Sequence, residues 1–296
     1  MSRMMLDGLA AGNAINVKPS AVTSVAQGLR NRTREEDLES KLTELRRDYA
    51  DLHAALFEAS QVYRKLCAPR LVRHGNFEIA SETFAARHVP GDFFTVKDVG
   101  DSAILVLGDI SGKGLAAGMW TTLLLGLLSM HSESNVNPEV IVAETNREVC
   151  RVPLGVPLAS LFVGRIDSNT GHLDYCSAGH PPALLLRSEG QLELLSDGGP
   201  LLGVVSDASF NRGSVELRDG DVLVLYSDGI PEAHDFNDEE FGFERLESQL
   251  RMTRAGDGDA DAVLFSLLGA VQDFVGGCSQ ADDMSLVVVR RGKIAK

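Results

Sequence analysis

From Leu38 the apolar positions advance in alternate steps of four and three: Leu38, Leu42, Leu45, Tyr49, Leu52, Leu56, Ala59, Tyr63 and Leu66. So narrow a seam, sustained over about four heptads, is the mark of a coiled coil. A helix lying on its own domain carries a wider apolar stripe. Glu35, Glu36, Glu39, Lys41, Glu44, Arg46, Arg47 and Asp48 fill the other faces. The spacing predicts a coiled-coil helix over 34–67 that pairs as a homodimer through residues 38–66, with Pro69 ending it. Residues 1–33 are rich in Ala, Gly, Asn and Ser without periodicity, and are expected to form a mobile tail.

Beyond Pro69 the period shortens to that of strands. Phe77 to Arg87, Phe93 to Val99 and Ala103 to Asp109 read as consecutive strands, with Gly100-Asp101 as a hairpin turn. Helices are predicted from Leu115 to His131 and from Pro138, a favoured first-turn residue, to Arg151. Strands resume at Ser160 to Asp167, His172 to Cys176, Ala183 to Arg187, Gln191 to Leu195, Ser214 to Leu217 and Val222 to Tyr226. Helices near Glu239 to Met252 and Asp259 to Val275 and a strand from Ser285 to Arg291 complete the pattern. Hairpin-linked strands with helices in segregated pairs predict an α+β layered sandwich over 68–296, not a parallel βαβ sheet.

An apolar fraction of 44% with 24% charged residues suits a globular core. The net charge of −14 argues against nucleic acid or an anionic membrane as a partner. Cys67, Cys150, Cys176 and Cys278 stand far apart with no CxxC pair, so reduced core thiols are expected and not a zinc site. The first thirty residues lack a basic start followed by an apolar run. The longest apolar stretch, Leu115 to Met130, is broken by Thr121 and Thr122 and falls short of a membrane span. These features point to the cytoplasm.

The chemistry lies in aspartates at strand ends: Asp92 in Pro90-Gly91-Asp92, Asp109 in the GDISGKG segment 108–114, Asp228 in Ser227-Asp228-Gly229, and the pair Asp282-Asp283. One such residue is an ordinary turn former. Asp109, however, follows Ile104-Leu105-Val106-Leu107, and Asp228 follows Val222-Leu223-Val224-Leu225-Tyr226. Carboxylates delivered by buried strands are costly unless something positive meets them. Few Lys or Arg lie nearby in sequence, so a metal is the natural partner. Oxygen-only ligation favours Mg²⁺ or Mn²⁺ over zinc.

In order and spacing these segments resemble the metal-dependent type 2C protein phosphatases (PPM), in particular their bacterial SpoIIE/RsbU-like branch. The matching stretches are 86–94, 108–114, Ser177-Ala178-Gly179-His180-Pro181-Pro182, 220–233 and 282–286, and the resemblance covers residues 68–292. It implies a central pair of antiparallel sheets flanked by helix pairs (αββα). It further implies two divalent cations, with Asp109 bridging them, the Ile110 backbone carbonyl on one, and Asp92, Asp228 and Asp282 completing the set; Asp283 is the alternative to Asp282. The implied reaction is hydrolysis of phosphoserine or phosphothreonine on a regulatory protein, such as an anti-sigma-factor antagonist (STAS) domain, by a metal-activated water. Arg87 stands where relatives place a phosphate-binding arginine, with an ordinary strand-end charge as the alternative.

Two departures from the family pattern bear on the site. Ser111 and Lys113 occupy places where relatives carry histidine, so no protein general acid is assigned. Thr95 replaces a further aspartate, which weakens the expected hold on one cation. His180 reads as a loop-stiffening residue, Trp120 as core, and Gly112 and Gly114 as permitting the turn into the next helix. The competing reading is a catalytically inactive phosphatase-fold scaffold that binds a signalling partner. A calcium-stabilised structural protein would need EF-hand spacing, which the sequence lacks.

Overall fold

The computed structural model describes residues 19–133, 137–152, 157–253 and 258–292, with the backbone alone over 19–33. The chain divides between Ala55 and Leu56 into two units. A single helix, α1 (Pro19–Leu66), runs through the boundary. It begins well before residue 34, so the backbone of 19–33 is helical where the sequence predicts a tail; residues 1–18 of that predicted tail lie outside the described residues. Missing apolar periodicity signals a missing packing face, not a missing helix, and Pro19 suits a first helical position. In the first unit the side chains of Leu38, Leu42, Leu45, Tyr49 and Leu52 are all exposed, Leu45 at 65%.

The second unit holds the end of α1 and two sheets. Its elements are β1 (Leu71–His74), β2 (Phe77–Phe84), β3 (Phe93–Val99), β4 (Ser102–Ile110), α2 (Leu115–His131), α3 (Pro138–Arg151), β5 (Ala159–Asp167) and β6 (His172–Ala178). They continue with β7 (Ala183–Leu186), β8 (Leu192–Leu195), β9 (Gly198–Gly199), β10 (Gly213–Glu216), β11 (Val222–Tyr226), α4 (Gly242–Thr253), α5 (Ala260–Val275) and β12 (Met284–Arg291). One sheet has the order β1-β2-β12-β11-β7-β8; the other runs β10-β6-β5-β4-β3, with β9 beside β6. Apart from the parallel β6–β9 pair, neighbouring strands are antiparallel.

Side-chain alternation distributes each strand between two cores. Leu223 and Leu225 of β11 join Leu105 and Leu107 of β4, Phe162, Val287 and Val289 in one buried cluster fed by both sheets. Val222 and Val224 join Leu250, Leu264 and Leu268 of α4 and α5. Ile104 and Val106 join Leu124, Leu128, Ile141 and Val142 of α2 and α3. Burial on both faces is why these strands read as unbroken apolar runs instead of alternating ones. Trp120 packs against the α2–α3 core, as do Ala59, Tyr63 and Cys67 from the end of α1. Ala59 and Tyr63 are therefore occupied by their own domain, although they continue the heptad seam.

The strand predicted from Phe77 to Arg87 ends at Phe84, leaving Arg87 in a loop. Its hairpin partner β1 is an element the sequence pattern did not reveal; His74 pairs with Phe77 across the turn. Among the described residues no helix is long and apolar enough to cross a membrane.

Candidate functional site

Strand topology brings the aspartates together. Phe93 pairs with Gly108, so the start of β3 and the end of β4 lie at one end of their sheet. Tyr226 pairs with Leu286, so the end of β11 and the start of β12 share one end of the other. Asp92 and Asp109 come from the first pair of ends; Asp228, Asp282 and Asp283 come from the second. The charge of Asp109 is felt by Asp92, and Asp109 in turn feels Asp228, Asp282 and Asp283.

Close approach of the backbone shapes the junction. A Cβ at Gly91 would lie 2.8 Å from the Ile110 carbonyl oxygen and 3.5 Å from Asp109 Oδ1, so only glycine lets the loop before Asp92 pass there. Asp283 anchors that loop: its Oδ1 accepts the Ala86 N–H at 2.7 Å and its Oδ2 the Gly91 N–H at 2.6 Å. Both Asp283 oxygens are thus committed to backbone donors. Asp282 stands more open, with Oδ2 2.8 Å from Lys113 Nζ and Oδ1 accepting the Asp283 N–H at 2.8 Å. The Tyr63 hydroxyl near the end of α1 donates to the Asp92 carbonyl.

Asp92 is 1% exposed, and among the described residues its Oδ2 has no hydrogen-bond partner. Burial, then the charge of Asp109, pushes its carboxyl well above the ordinary carboxylate range, against the pull of the Ser227 and Ser285 hydroxyls. Burial and the charge of Asp228 push Asp109 up to about 6. Asp228 is raised as well, by burial and by Asp282. A buried carboxylate oxygen without a donor, inside a set of mutually repelling carboxylates, fits a site for a hard divalent cation. Among the described residues no three such side chains close tightly enough to enclose an ion. Uncompensated carboxylates repel one another, and Asp282 pairs with Lys113.

Arg87 is exposed in the loop anchored by Asp283 and pairs with no carboxylate among the described residues. A Cβ on Gly114 would lie 3.9 Å from Arg87 Cδ, which sets the guanidinium stem beside the GDISGKG turn. Thr95 faces elsewhere, lining a cavity with Leu66, Val106 and Leu125.

The family profile of Stage II sporulation protein E (SpoIIE) matches residues 100–292, more than half of the chain. The chain belongs to the SpoIIE family. It falls in the PP2C-type (PPM) group, on the RsbU-like branch. Protein IcfG of Synechocystis sp. is 28% identical over 236 residues, covering 70% of this chain but only 36% of IcfG. Phosphoserine phosphatase RsbU of Bacillus subtilis is 24% identical over 238 residues, covering 79% of this chain and 69% of RsbU. In fold, the chain resembles the SiaA-PP2C domain of Pseudomonas aeruginosa with a TM-score of 0.71 at 18% identity, covering 81% of this chain and 97% of that domain.

Within this SpoIIE-family domain, Tyr63, Ser227 and Ser285 are neighbours of Asp92 that sequence reasoning missed. Only Ser227 carried a local signal, as the residue preceding Asp228. His180 proves structural: it is buried, its Nδ1 lies 2.7 Å from Ser160 Oγ, and its N–H and carbonyl both meet Ser177 Oγ at 3.2 Å. Burial lowers its pKa to about 3. The unfolded chain takes up a proton near pH 6.5 that the folded protein refuses, so this residue's contribution to stability falls with pH from about 6.5 down to about 3. A His180→Gln variant should lose less stability than the parent on acidification, by up to about 1.4 kcal/mol per pH unit in that window. Chemical denaturation at pH 7 and pH 5 measures the difference, and parallel pH dependences would refute the assignment.

Proposed function

We propose that this chain is a Mn²⁺- or Mg²⁺-dependent protein phosphatase. Its substrate is phosphoserine or phosphothreonine on a regulatory protein, with a STAS-type anti-sigma-factor antagonist as the class to test first. The observation that carries this reading is the buried Asp92 oxygen, without a hydrogen-bond partner among the described residues, at the junction of four strand ends. Similarity to RsbU, a phosphoserine phosphatase, supports the substrate chemistry.

In this reading Asp109, as the central ligand, would hold the cations together with the Ile110 carbonyl, Asp92, Asp228 and Asp282. Asp282 is preferred to Asp283 because both Asp283 oxygens accept backbone N–H groups that fix the loop, whereas Asp282 Oδ2 meets only the Lys113 side chain. Asp283 holds the loop that carries Arg87 and Asp92. Arg87 presents a planar fork suited to two phosphoryl oxygens and orients the phosphate for in-line attack. When bound, two divalent cations would acidify the attacking water and offset charge on the phosphoryl oxygens. The phosphatase domain spans 68–296 in an αββα sandwich, and the helix over 34–67 joins two copies as a coiled coil through residues 38–66. The protein works in the cytoplasm, consistent with four free thiols.

Hydrolysis of an aryl phosphate should require added cation, with Mn²⁺ more effective than Mg²⁺. Mg²⁺ gives up its waters reluctantly, so an open set of carboxylates holds it more weakly than Mn²⁺. Full activity after exhaustive chelation would refute the site. Absence of activity with either cation, on the aryl phosphate and on a panel of phosphorylated STAS proteins, would favour an inactive scaffold.

A further inference from the structure

Lys113 sits on the turn between β4 and α2, and its ammonium meets the aspartate cluster directly. Nζ lies 2.8 Å from Asp282 Oδ2 and also donates to the Ala281 carbonyl. Because Oδ1 of Asp282 accepts the Asp283 N–H, both oxygens of Asp282 are engaged, whereas the buried Asp92 keeps an oxygen without a partner. The ammonium also acts beyond its own pair, opposing the upward push on Asp228 and Asp283. Its stem is long and partly exposed, and it borders an open cavity of about 420 Å³ that Asp282 also lines and whose further walls include Glu232, His234 and Asp235. The ammonium therefore has an acidic, solvated place to go when it leaves Asp282.

We propose that Lys113 is a displaceable internal counter-ion, which neutralises Asp282 in the cation-free protein and must swing into the neighbouring cavity before Asp282 can take a divalent cation. The inference rests on the metal-site reading above. A monovalent ammonium on a flexible stem satisfies one carboxylate but cannot draw several to one point. It thus offsets the charge of Asp282 without gathering the other carboxylates around it. Its charge also opposes cation entry at the Asp282 side and leaves the buried Asp92–Asp109 side less affected. The two cations should consequently bind with unequal affinity, the weaker at Asp282.

Mn²⁺ titration of the full chain by calorimetry and by electron paramagnetic resonance, without substrate, tests this in six proteins: wild type, Lys113→Met, Lys113→Arg, Asp109→Asn, Asp282→Asn and the Lys113→Met, Asp282→Asn double variant. Lys113→Met should tighten the weaker Mn²⁺ class by about tenfold or more, since a like charge leaves the site. The gain should vanish in the Asp282→Asn background. Lys113→Arg should retain weak binding, and Lys113→Met should melt below wild type when chelator is present. Unchanged or weaker Mn²⁺ binding by Lys113→Met, or an equal gain with Asp282→Asn, would overturn the counter-ion role while leaving the metal site standing. If wild type binds no Mn²⁺ that Asp109→Asn abolishes, the metal site falls and this inference with it.

Discussion

Asp109→Asn should lose Mn²⁺-dependent hydrolysis by a factor on the order of 10²–10³ or more, in line with removal of a principal charge-stabilising group. The same variant should be more stable than its parent when no cation is present. In the parent, burial and the Asp228 carboxylate raise Asp109 to about 6, above its usual range. Stability from such a group is fully present below the unfolded value, near pH 4, and is lost as pH rises through about 6. At pH 7.5 the ionised Asp109 therefore stands against the fold, and an amide of the same shape does not. Melting with chelator present should favour the variant by on the order of 2 kcal/mol at pH 7.5, with the gap closing toward pH 4. Added Mn²⁺ should reverse the order, because the parent gains ligand-linked stability that the variant cannot. A variant that retains more than a few per cent of the parental rate would remove Asp109 from the centre of the reaction.

Asp109 and Asp228 were legible in the sequence because each ends a strand buried on both faces. Ile104–Leu107 and Val222–Tyr226 have no polar position that a solvent-facing strand would show, and an acid at the end of such a run needs a reason. The pairing of strands that brings these ends together is a long-range property, which the family resemblance supplied and periodicity did not. The strand overshoot at residues 85–87 has the same origin. Ala85 and Ala86 prolong the apolar pattern, but the Ala86 N–H is taken by Asp283, far away in sequence, and the ladder stops. That bond also bears on the choice between Asp282 and Asp283, which sequence alone left open. Four-residue β1 was missed because Arg73 and His74 give it no apolar face of its own.

Tyr63 marks the limit of reading a seam. Its place in the heptad series assigns it to a partner helix, yet it is 7% exposed within its own domain and donates to the Asp92 carbonyl. The seam therefore changes role along α1. Leu38, Leu42, Leu45, Tyr49 and Leu52 are exposed, while Ala59 and Tyr63 pack into the α2–α3 core. An exposed stripe of large apolar side chains at heptad spacing is costly in water, and pairing with the same stripe of a second copy removes that cost. In sedimentation equilibrium the parent should then be dimeric and a Leu45→Asp, Leu52→Asp double variant monomeric. Each buried leucine lost from a packed seam costs about 2–5 kcal/mol, and buried charges add to that. The second unit should still fold in this variant, since its cores draw nothing from those two positions. Because the helix that carries the seam also carries Tyr63, disruption of the pair should shift the Mn²⁺ concentration needed for half-maximal rate. Tyr63→Phe should produce a shift in the same direction while leaving the dimer intact, because it removes only the hydroxyl that holds the Asp92 backbone. A double variant that stays dimeric places the interface elsewhere. Unchanged Mn²⁺ dependence in both the monomer and Tyr63→Phe would reduce α1 to a clasp with no hold on Asp92.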